Sequence, residues 1–363
     1  MTEPSEDVQK EGFIEEYHHL IARRLIFLAF AIAGIVLFVG LLSITNYPDL
    51  SIGHAYEIII KHILGRQDEF DRYEFWADRY IWNTAMPHAL MAIIAGASLA
   101  VCGTLMQALM GNPLADPYST GISSGACFGA VSAIVAGSFF ATINGQSGLI
   151  FNAFIGAMIP AILIIIIASR IRMTPATLIL LGTALSYFFN SLITYMMVTT
   201  DADTLKSAYL WQVGNLTNIT WSSLPAAAAI SVIGGIIIMK LSNKLNIMAN
   251  GDNTAISLGV DIQKFRVMCL VLMAIMTAAI VAYTGIIGFV GLVAPHLVRL
   301  VIGGDNKFVV PISMVGGAFL LLLADYIAFH LSNIPIGVVT CVIGSPLFFI
   351  LIIWQSRRTG AIY

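Results

Sequence analysis

Four small or polar residues follow one another at intervals of four in a segment otherwise rich in Leu, Ile, Phe, Tyr and Met: Gly182, Ser186, Asn190 and Thr194. This spacing places all four on one face of an α-helix. Polar side chains inside a membrane must face protein or water. The stripe therefore predicts either a water-accessible pathway or a seam of hydrogen bonds to a neighbouring helix, and the residues alone favour neither.

The other polar residues form no recognisable catalytic group. The sequence has no G-x-x-x-x-G-K-[ST] loop to hold nucleotide phosphates, no HExxH pair and no G-x-S-x-G turn. Its four cysteines and seven histidines lack the spacing of metal ligands. We therefore predict a protein that is not an enzyme and binds no cofactor or metal. If ATP drives it, a separate polypeptide must hydrolyse the ATP.

The composition identifies the class of molecule that must position the stripe. Of the 363 residues, 58% are hydrophobic and 10% are charged, with a mean hydropathy of +0.87. Soluble domains contain about 25% charged residues. So few charges cannot cover a water-facing surface, which excludes a soluble enzyme or a nucleic-acid-binding protein and indicates an integral membrane protein.

Stretches without Asp, Glu, Lys or Arg locate the membrane spans, because a charge at the bilayer centre costs about 2.5 to 3.5 kcal/mol. These stretches are 25–48, 80–115, 117–169, 173–200, 207–239, 267–298, 308–324 and 326–356. About 20 helical residues cross the hydrocarbon core. We expect two spans within 117–169, and within 267–298 one full span and a short, glycine-broken helix from Gly285 to near Pro295. The prediction is an all-α polytopic membrane protein with ten transmembrane helices.

Basic residues predict the orientation. With the N-terminus in the cytoplasm, thirteen of the 18 Lys and Arg residues lie inside and five lie outside, which obeys the positive-inside rule. The expected domain plan is a transmembrane domain at 25–356 between cytoplasmic tails at 1–24 and 357–363. Two connections are long enough to bind partners: an external loop at 49–80 and a cytoplasmic loop at 240–266. In the second, Asp252 or Asn253 could cap a short helix that ends at Gly259.

Two further patterns concern helix contacts and turns. Gly121, Gly125 and Gly129 share one helical face in the third span and predict close packing against another helix. The sequence Gly111-Asn-Pro-Leu-Ala-Asp-Pro117 must break the helix, since it contains two prolines and a glycine. Its residues leave open whether this is a plain connection or a functional turn.

Several long motifs resemble one family of membrane proteins. They are Pro87-His-Ala-Leu-Met-Ala-Ile-Ile-Ala-Gly-Ala-Ser-Leu-Ala, Gly103-Thr-Leu-Met-Gln107, Gly111-Asn-Pro-Leu-Ala-Asp-Pro117, Gly121-Ile-Ser-Ser-Gly-Ala126, Gly288-Phe-Val-Gly-Leu-Val-Ala-Pro-His-Leu-Val-Arg299, Leu321-Leu-Leu-Ala-Asp325 and Ile334-Pro-Ile-Gly-Val-Val-Thr-Cys-Val-Ile-Gly-Ser-Pro346. In order and spacing they resemble the iron–siderophore, haem and cobalamin permeases of ABC importers. The resemblance covers about residues 25 to 356.

The resemblance implies a type II ABC importer permease in a prokaryotic cytoplasmic membrane. Such a subunit pairs with a second copy of itself, two ABC ATPase subunits that bind ATP and Mg, and an extracytoplasmic substrate-binding protein; nucleic acid is not a partner. It favours a pathway role for the stripe at Gly182, Ser186, Asn190 and Thr194. It also implies a cytoplasmic gate at Asn112, Leu114 and Thr174, and contact with the ATPase at Asp252, Ala255, Leu258 and Gly259.

The sequence departs from the family at the external surface. Where the family often has Arg-x-Pro-Arg, this chain has Ala85-Met-Pro-His88, and Phe329 replaces a further arginine. We therefore expect docking of the binding protein to use His88, His330, Arg72 or Arg79, or nonpolar contacts. The expected cargo is a metal chelate, with iron–siderophore favoured over haem or cobalamin. The alternative is a stand-alone, ion-coupled secondary transporter that uses Asp325.

Overall fold

The computed structural model describes residues 6–137, 145–168, 170–171, 174–331 and 334–359, and all regular structure in these ranges is helical. The α-helices are α1 (Glu6–Ile44), α2 (Ile52–Ile63), α3 (Arg72–Tyr80), α4 (Met86–Met110), α5 (Ile122–Ala136), α6 (Gly145–Ala168), α7 (Pro175–Val198), α8 (Ala202–Gln212), α9 (Leu224–Ala249), α10 (Asp252–Ser257), α11 (Ile262–Thr284), α12 (Val290–Ile302), α13 (Asn306–His330) and α14 (Ile336–Thr359). A π-helical turn at Ile81–Ala85 joins α3 to α4.

Ten of the described helices carry the apolar segments. Seven are long and apolar enough to cross a membrane: α1, α4, α6, α7, α9, α11 and α13. Three shorter apolar helical segments complete the set in the predicted order: α5, α12 and Ile336–Leu351 of α14. The all-α polytopic architecture is therefore confirmed.

The limits of several helices differ from those that the charges suggest. The stretch 207–239 holds the end of α8, an irregular connection and only part of α9, which continues beyond Lys240 to Ala249. The two long connections predicted as loops are largely helical. In the first, α2 and α3 occupy most of 49–80; in the second, only residues 250–261 separate α9 from α11. At the termini, α1 begins at Glu6 and α14 ends at Thr359. Charges mark where a membrane ends, but they do not end a helix.

The short eighth apolar helix was placed wrongly along the chain. Residues 285–289 are not helical, and α12 begins at Val290 and continues through Pro295 to Ile302. Proline removes one backbone hydrogen bond, and a helix can tolerate this where tertiary packing holds it. Here the packing is close: a Cβ on Gly103 of α4 would lie 1.6 Å from the carbonyl oxygen of Gly291.

Close backbone contacts at glycine build the centre of the bundle. On α4, a Cβ at Gly96 would lie 2.3 Å from the carbonyl oxygen of Gly317 of α13. Between α5 and α6, a Cβ on Gly129 would lie 2.1 Å from the carbonyl oxygen of Asn152, and Gly125 faces Gly156. The packing role predicted for Gly125 and Gly129 is thus confirmed. The third glycine of that pattern, Gly121, lies outside the helix, because α5 starts at Ile122.

The two ends of the bundle are recognisable from side-chain contacts. At one end, which we call the α3 end, the indole of Trp221 before α9 donates a hydrogen bond of 2.7 Å to the carbonyl of Trp82. At the other, the α10 end, the amide of Asn246 in α9 donates to Asp305 before α13, at 2.7 Å. Helices α5 and α12 have 15 and 13 residues. At 1.5 Å per residue they rise only about 22 and 20 Å, so neither alone spans a hydrocarbon core of about 30 Å.

Candidate functional site

The proline-rich segment after α4 forms two successive turns. Gly111 ends α4 in the left-handed conformation, with φ of 57°. The side-chain oxygen of Asn112 then accepts a hydrogen bond of 2.9 Å from the amide of Leu114. Next, Asp116 caps the 3₁₀ turn Pro117–Thr120 by accepting from the amide of Tyr118 at 2.9 Å. The segment is therefore a specified structure and more than a flexible connection.

This second turn, with Gly121, contacts two other parts of the bundle, and we call residues 117–121 the central turn. The hydroxyl of Tyr118 donates to the carbonyl of Ile287, in the irregular segment before α12, at 3.0 Å. On the other side, Gly182 of α7 is buried against the carbonyl oxygen of Ser119. Irregular backbone at membrane depth is tolerated where protein buries it. The central turn thus connects α7 with the start of α12.

The predicted stripe on α7 passes from buried to exposed. Gly182 is buried at the central turn, Ser186 is partly covered, and Asn190 and Thr194 are exposed. The Thr194 hydroxyl donates to the carbonyl of Asn190 within α7, at 2.8 Å. The surrounding face is also exposed and mostly apolar or aromatic; Tyr187, for example, is 71% exposed. Asn190 and Thr194, the second half of the stripe, therefore lie on the surface of this chain.

Helix α7 begins with a well-formed cap at the third predicted gate residue. The Thr174 hydroxyl accepts a hydrogen bond of 3.2 Å from the amide of Thr177, and Pro175 occupies the first helical position. Both features favour helix initiation at this point. Thr174 is the N-cap of α7, and Gly182, which contacts the central turn, lies about two turns further along the helix. The gate residues Asn112 and Leu114 lie on the segment that leads into that same turn.

The short helix predicted within the loop 240–266 is present as α10. Gly251 precedes it, so Asp252 is its first residue and does not cap it as expected. Gly259 ends it with φ of 78°. The amide of Val260 donates to the carbonyl of Ala255, and that of Gly259 to Ile256, which is the glycine-terminated Schellman motif.

The four predicted coupling residues divide into an inner and an outer face of α10. Ala255 is fully buried, whereas Leu258 is 62% exposed and neighbouring Ile256 is 61% exposed. Asp252 faces inwards to Arg266, whose guanidinium donates to its carboxylate at 2.9 Å. Arg266 belongs to the first turns of α11, and its side chain is 2% exposed. Arg266 was not predicted as a functional residue, although an arginine at the fifth position of a largely apolar helix is a usable signal.

A broad cleft of about 980 Å³ opens beside α10. It is lined by Asp252 and Ile256 of α10, by Thr174 at the start of α7, and by Arg266 and other residues of α11. The structure therefore brings one predicted gate residue and the coupling helix to the same cleft. At its edge, Asp261 caps α11, and its hydrogen bond to the Lys264 side chain lowers the pKa of its carboxyl group.

Asp325 is buried near the α3 end. Its carboxylate lies 3.2 Å from Nδ1 of His88, and the two side chains are 3% and 14% exposed. They share a small recess with Asn215, Thr217 and Phe329. His88 is therefore turned towards a carboxylate, and most of its surface is unavailable to a docking partner.

The other predicted docking residues are exposed. His330 lies at the end of α13, with its ring against Tyr326 at a centroid distance of 4.1 Å. Arg72 and Arg79 lie on α3, where Arg79 is 5.9 Å from the ring of Trp76. Among the described residues, no three His, Cys, Asp or Glu side chains group closely enough to hold a metal ion.

These features define a class of protein: a polytopic helical membrane protein whose bundle contains short helices meeting at a central turn and a surface helix flanked by a cleft. The family model described as the FecCD transport family matches residues 35–354, and the chain belongs to this family. It is a permease family of ABC importers, which work with separate ATPase subunits and with substrate-binding partners. Multi-span permeases of this kind occur in prokaryotic inner membranes.

Individual relatives agree with the family assignment. The chain is 35% identical to the "Putative ABC transporter permease protein MJ0087" of Methanocaldococcus jannaschii, over 90% of this chain and 95% of that protein. It is 32% identical to the vitamin B12 import system permease protein BtuC of Vibrio cholerae, over 85% and 93%. A solved structure described as "An inward-facing conformation of a putative metal-chelate type ABC transporter" aligns with a TM-score of 0.71 at 29% identity, over 84% of this chain and 99% of that one.

Proposed function

We propose that this chain is the membrane-spanning subunit of an ABC importer that carries an intact metal chelate into a prokaryotic cell. An iron–siderophore complex is the favoured cargo, and haem and cobalamin are the alternatives. The working importer contains two copies of this chain, two ATPase subunits that bind ATP and Mg, and an external binding protein. The α10 end and both termini face the cytoplasm.

The observation that carries this proposal is the arrangement of α10. This six-residue helix presents Ile256 and Leu258 to the outside, while Ala255 and the Asp252 carboxylate hold it to the bundle. An exposed apolar helix face on a rigid base is suited to inserting into a groove of another protein. Because the sequence contains no nucleotide-binding loop of its own, the partner at α10 is the ATPase.

The contacts within the chain suggest how movement of α10 reaches the pathway. When ATP closes the ATPase pair, α10 is displaced, and the ion pair with Arg266 transmits the displacement to α11. The same cleft is bordered by Thr174, so the start of α7 is displaced with it. Gly182 then carries the movement to the central turn through its contact with Ser119. The gate segment at Asn112 and Leu114 opens or closes in consequence.

The chemistry of α7 supports a chelate as cargo. Helix α7 contains Ser, Asn, Thr and Tyr but no Asp, Glu, His or Cys. It therefore lacks carboxylate, imidazole and thiolate ligands that would compete with a chelator for the metal ion, and its hydroxyl and amide groups suit weak contacts with a large, hydrogen-bonding solute. The vitamin B12 permease relative and the metal-chelate type transporter named above carry cargo of that class.

Uptake by a reconstituted system tests the proposal. Proteoliposomes should contain this chain, its ATPase and its binding protein, with labelled iron–siderophore, haem or cobalamin outside. We expect uptake of one chelate that requires ATP, the binding protein and this chain together. Uptake in the absence of ATP, or failure of the chain to co-purify with an ATPase from its native membrane, would refute the proposal.

A secondary transporter is the second candidate, because the buried Asp325 and His88 pair resembles a proton-coupling site. Replacing Asp325 with Asn separates the two functions. An ATP-driven importer should keep most of its uptake, whereas a proton-coupled carrier should lose it and its dependence on a pH gradient. The measurement is chelate uptake with and without an imposed pH gradient.

A further inference from the structure

Helices α6 and α9 leave a narrow space between them at the α3 end. Both pack against α11, but they make hardly any contact with each other. The resulting slot has a volume of about 360 Å³. Its floor consists of Ala279 and Ala282 of α11, both buried, and these small side chains give the slot its depth. A volume of this size lies in the range of binding sites for organic molecules.

The slot opens sideways, towards the surroundings of the bundle. Phe151 on α6 and Ala226 on α9 flank the opening, and both are exposed. Further along the same two helices, Ile162 and Ile233 are also exposed. We infer that this apolar face of α6 and α9 contacts lipid, because exposed apolar side chains on transmembrane helices suit a lipid environment. The slot is therefore accessible from the bilayer and lies away from the stripe on α7.

Polarity changes along the slot. Its rim is formed by polar residues at the α3 end of the three helices: Gln146, Ser147, Ser222, Ser223 and Tyr283. Deeper in, the lining is apolar and includes Ile150, Phe154 and Ile230. Phe154 lies nine residues into α6, which corresponds to a depth of about 13 Å. One half of the hydrocarbon core is about 15 Å thick. The polarity profile thus matches one leaflet of a bilayer.

The rim suits a phosphate or ester group. The amide of Gln146 donates to the carbonyl of Asn218 at 2.6 Å, which fixes the loop before α9. The hydroxyl groups of Ser147, Ser222 and Tyr283 can donate hydrogen bonds to phosphate or ester oxygens. No lining side chain carries a full charge, so binding should not depend on the head group beyond its phosphate.

We propose that this slot binds one phospholipid of the leaflet at the α3 end. One acyl chain lies between α6 and α9 on Ala279 and Ala282, and the phosphate and glycerol ester groups contact the polar rim. The lipid fills the space between α6 and α9, which hardly contact each other. Water does not suit the deeper part, because a buried water needs two to four polar partners.

Photolabelling of the full-length protein in lipid nanodiscs tests the proposal. The probe is phosphatidylethanolamine with a diazirine in one acyl chain, and mass spectrometry locates the labelled residues. We expect labelling at Phe154 and Ile230 that persists when the protein is transferred from the nanodisc into an excess of short-chain detergent before irradiation, a step that removes bulk lipid. Phosphatidylglycerol with the same diazirine should label the same residues. Labelling that disappears together with that of Ile233 on the outer face would mean bulk lipid only and would overturn the proposal.

Two alanines of α9 provide a matched pair of variants. Ala226→Phe fills the slot from its rim, whereas Ala229→Phe adds the same ring at an exposed position outside the lining. We expect Ala226→Phe to weaken persistent labelling of Phe154 at least about ten-fold, equivalent to about 1.4 kcal/mol. Ala229→Phe should leave it unchanged. Equal labelling in both variants refutes the site.

A second measurement covers the case in which Ala226→Phe does not fold. The detergent-solubilised wild-type protein should gain thermal stability when phosphatidylethanolamine is added, and the smaller change Ala226→Val should reduce that gain. No gain in the wild-type protein would also overturn the proposal. A water-filled slot predicts that a cysteine at Phe154 reacts with a charged thiol reagent in the lipid-containing nanodisc, and we expect no reaction.

Discussion

Gly182 of α7 lies so close to Ser119 in the central turn that a Cβ on Gly182 would be 2.0 Å from the Ser119 carbonyl oxygen. The contact is reciprocal, since a Cβ on Gly121 would be 3.1 Å from the carbonyl oxygen of Gly182. Two backbones in direct contact cannot move independently without losing their packing. The helix that carries the polar stripe and the turn that leads from the gate segment therefore act as one mechanical unit.

Gly182→Ala should disrupt this unit. Its new methyl group meets backbone atoms, which cannot rotate away, so we expect a loss of about 1 to 3 kcal/mol in stability, as in other overpacked interiors. The measurement is the apparent melting temperature in detergent, together with ATP-driven uptake. Ala184→Val is the control, because Ala184 is an exposed residue of the same helix. Unchanged stability of Gly182→Ala would contradict the close contact.

Asp252→Asn tests the link between α10 and α11. A hydrogen bond between two charged groups contributes about 1.5 to 3 kcal/mol. Because Asp252 is 44% exposed, solvent screening reduces this to about 1 kcal/mol. We expect uptake per ATP hydrolysed to fall about five-fold, with the ATPase still bound. Asp261→Asn is the control: its partner Lys264 is 88% exposed, and asparagine also caps helices well. Equal effects of the two variants would count against a specific role for Asp252.

The outer face of α10 should determine coupling to the ATPase. Leu258→Asp places a charge on the exposed apolar face, and Gly259→Trp adds a large side chain where φ is 78°, a conformation that costs other residues about 1 to 2 kcal/mol. Both variants should leave dimer assembly intact and remove the stimulation of ATP hydrolysis by the permease. Thr254→Ser changes an exposed residue of the same helix conservatively and serves as the control. Normal stimulation in both variants would exclude α10 as the docking element.

The number and order of the apolar helices could be predicted from the sequence because charges are expensive in a membrane. The limits of the helices could not be predicted in this way, because a helix can continue beyond the membrane into water, as α9 does beyond Lys240. The start of α12 depends on how closely Gly291 approaches Gly103, which is a tertiary contact that no local pattern specifies. The same reason explains why the shortness of α5 was not foreseen.

Site residues divide in a similar way. The turn at Gly259 was predictable, since it depends on the conformational freedom of glycine alone. The ion pair between Asp252 and Arg266 was not, because it joins residues of two helices whose arrangement the sequence does not encode locally. His88 was expected to contact a partner, but it faces Asp325, a residue far from it in the sequence.

Thiol labelling addresses the two interpretations of the stripe, pathway or packing seam. Cysteines at Ser186 and Asn190 should react with a charged, water-soluble thiol reagent if the stripe borders a pathway, because such a reagent does not enter lipid. The background protein must carry Cys341→Ser, since Cys341 is exposed and Cys102, Cys127 and Cys269 are buried. Reaction is measured by mass shift without nucleotide and with trapped ATP.

Two further cysteine variants serve as controls for this experiment. Ile233→Cys lies on the exposed apolar face of α9 and should be protected by lipid, and Phe189→Cys is buried on α7 itself. We expect Asn190→Cys to react faster than both, and its rate to change between nucleotide states, because closing the ATPase pair moves α7 through Thr174 and Gly182. Complete protection of both stripe cysteines in every nucleotide state would favour the packing seam instead. In that case the Gly182 contact would serve assembly of the bundle and would not transmit movement to a pathway.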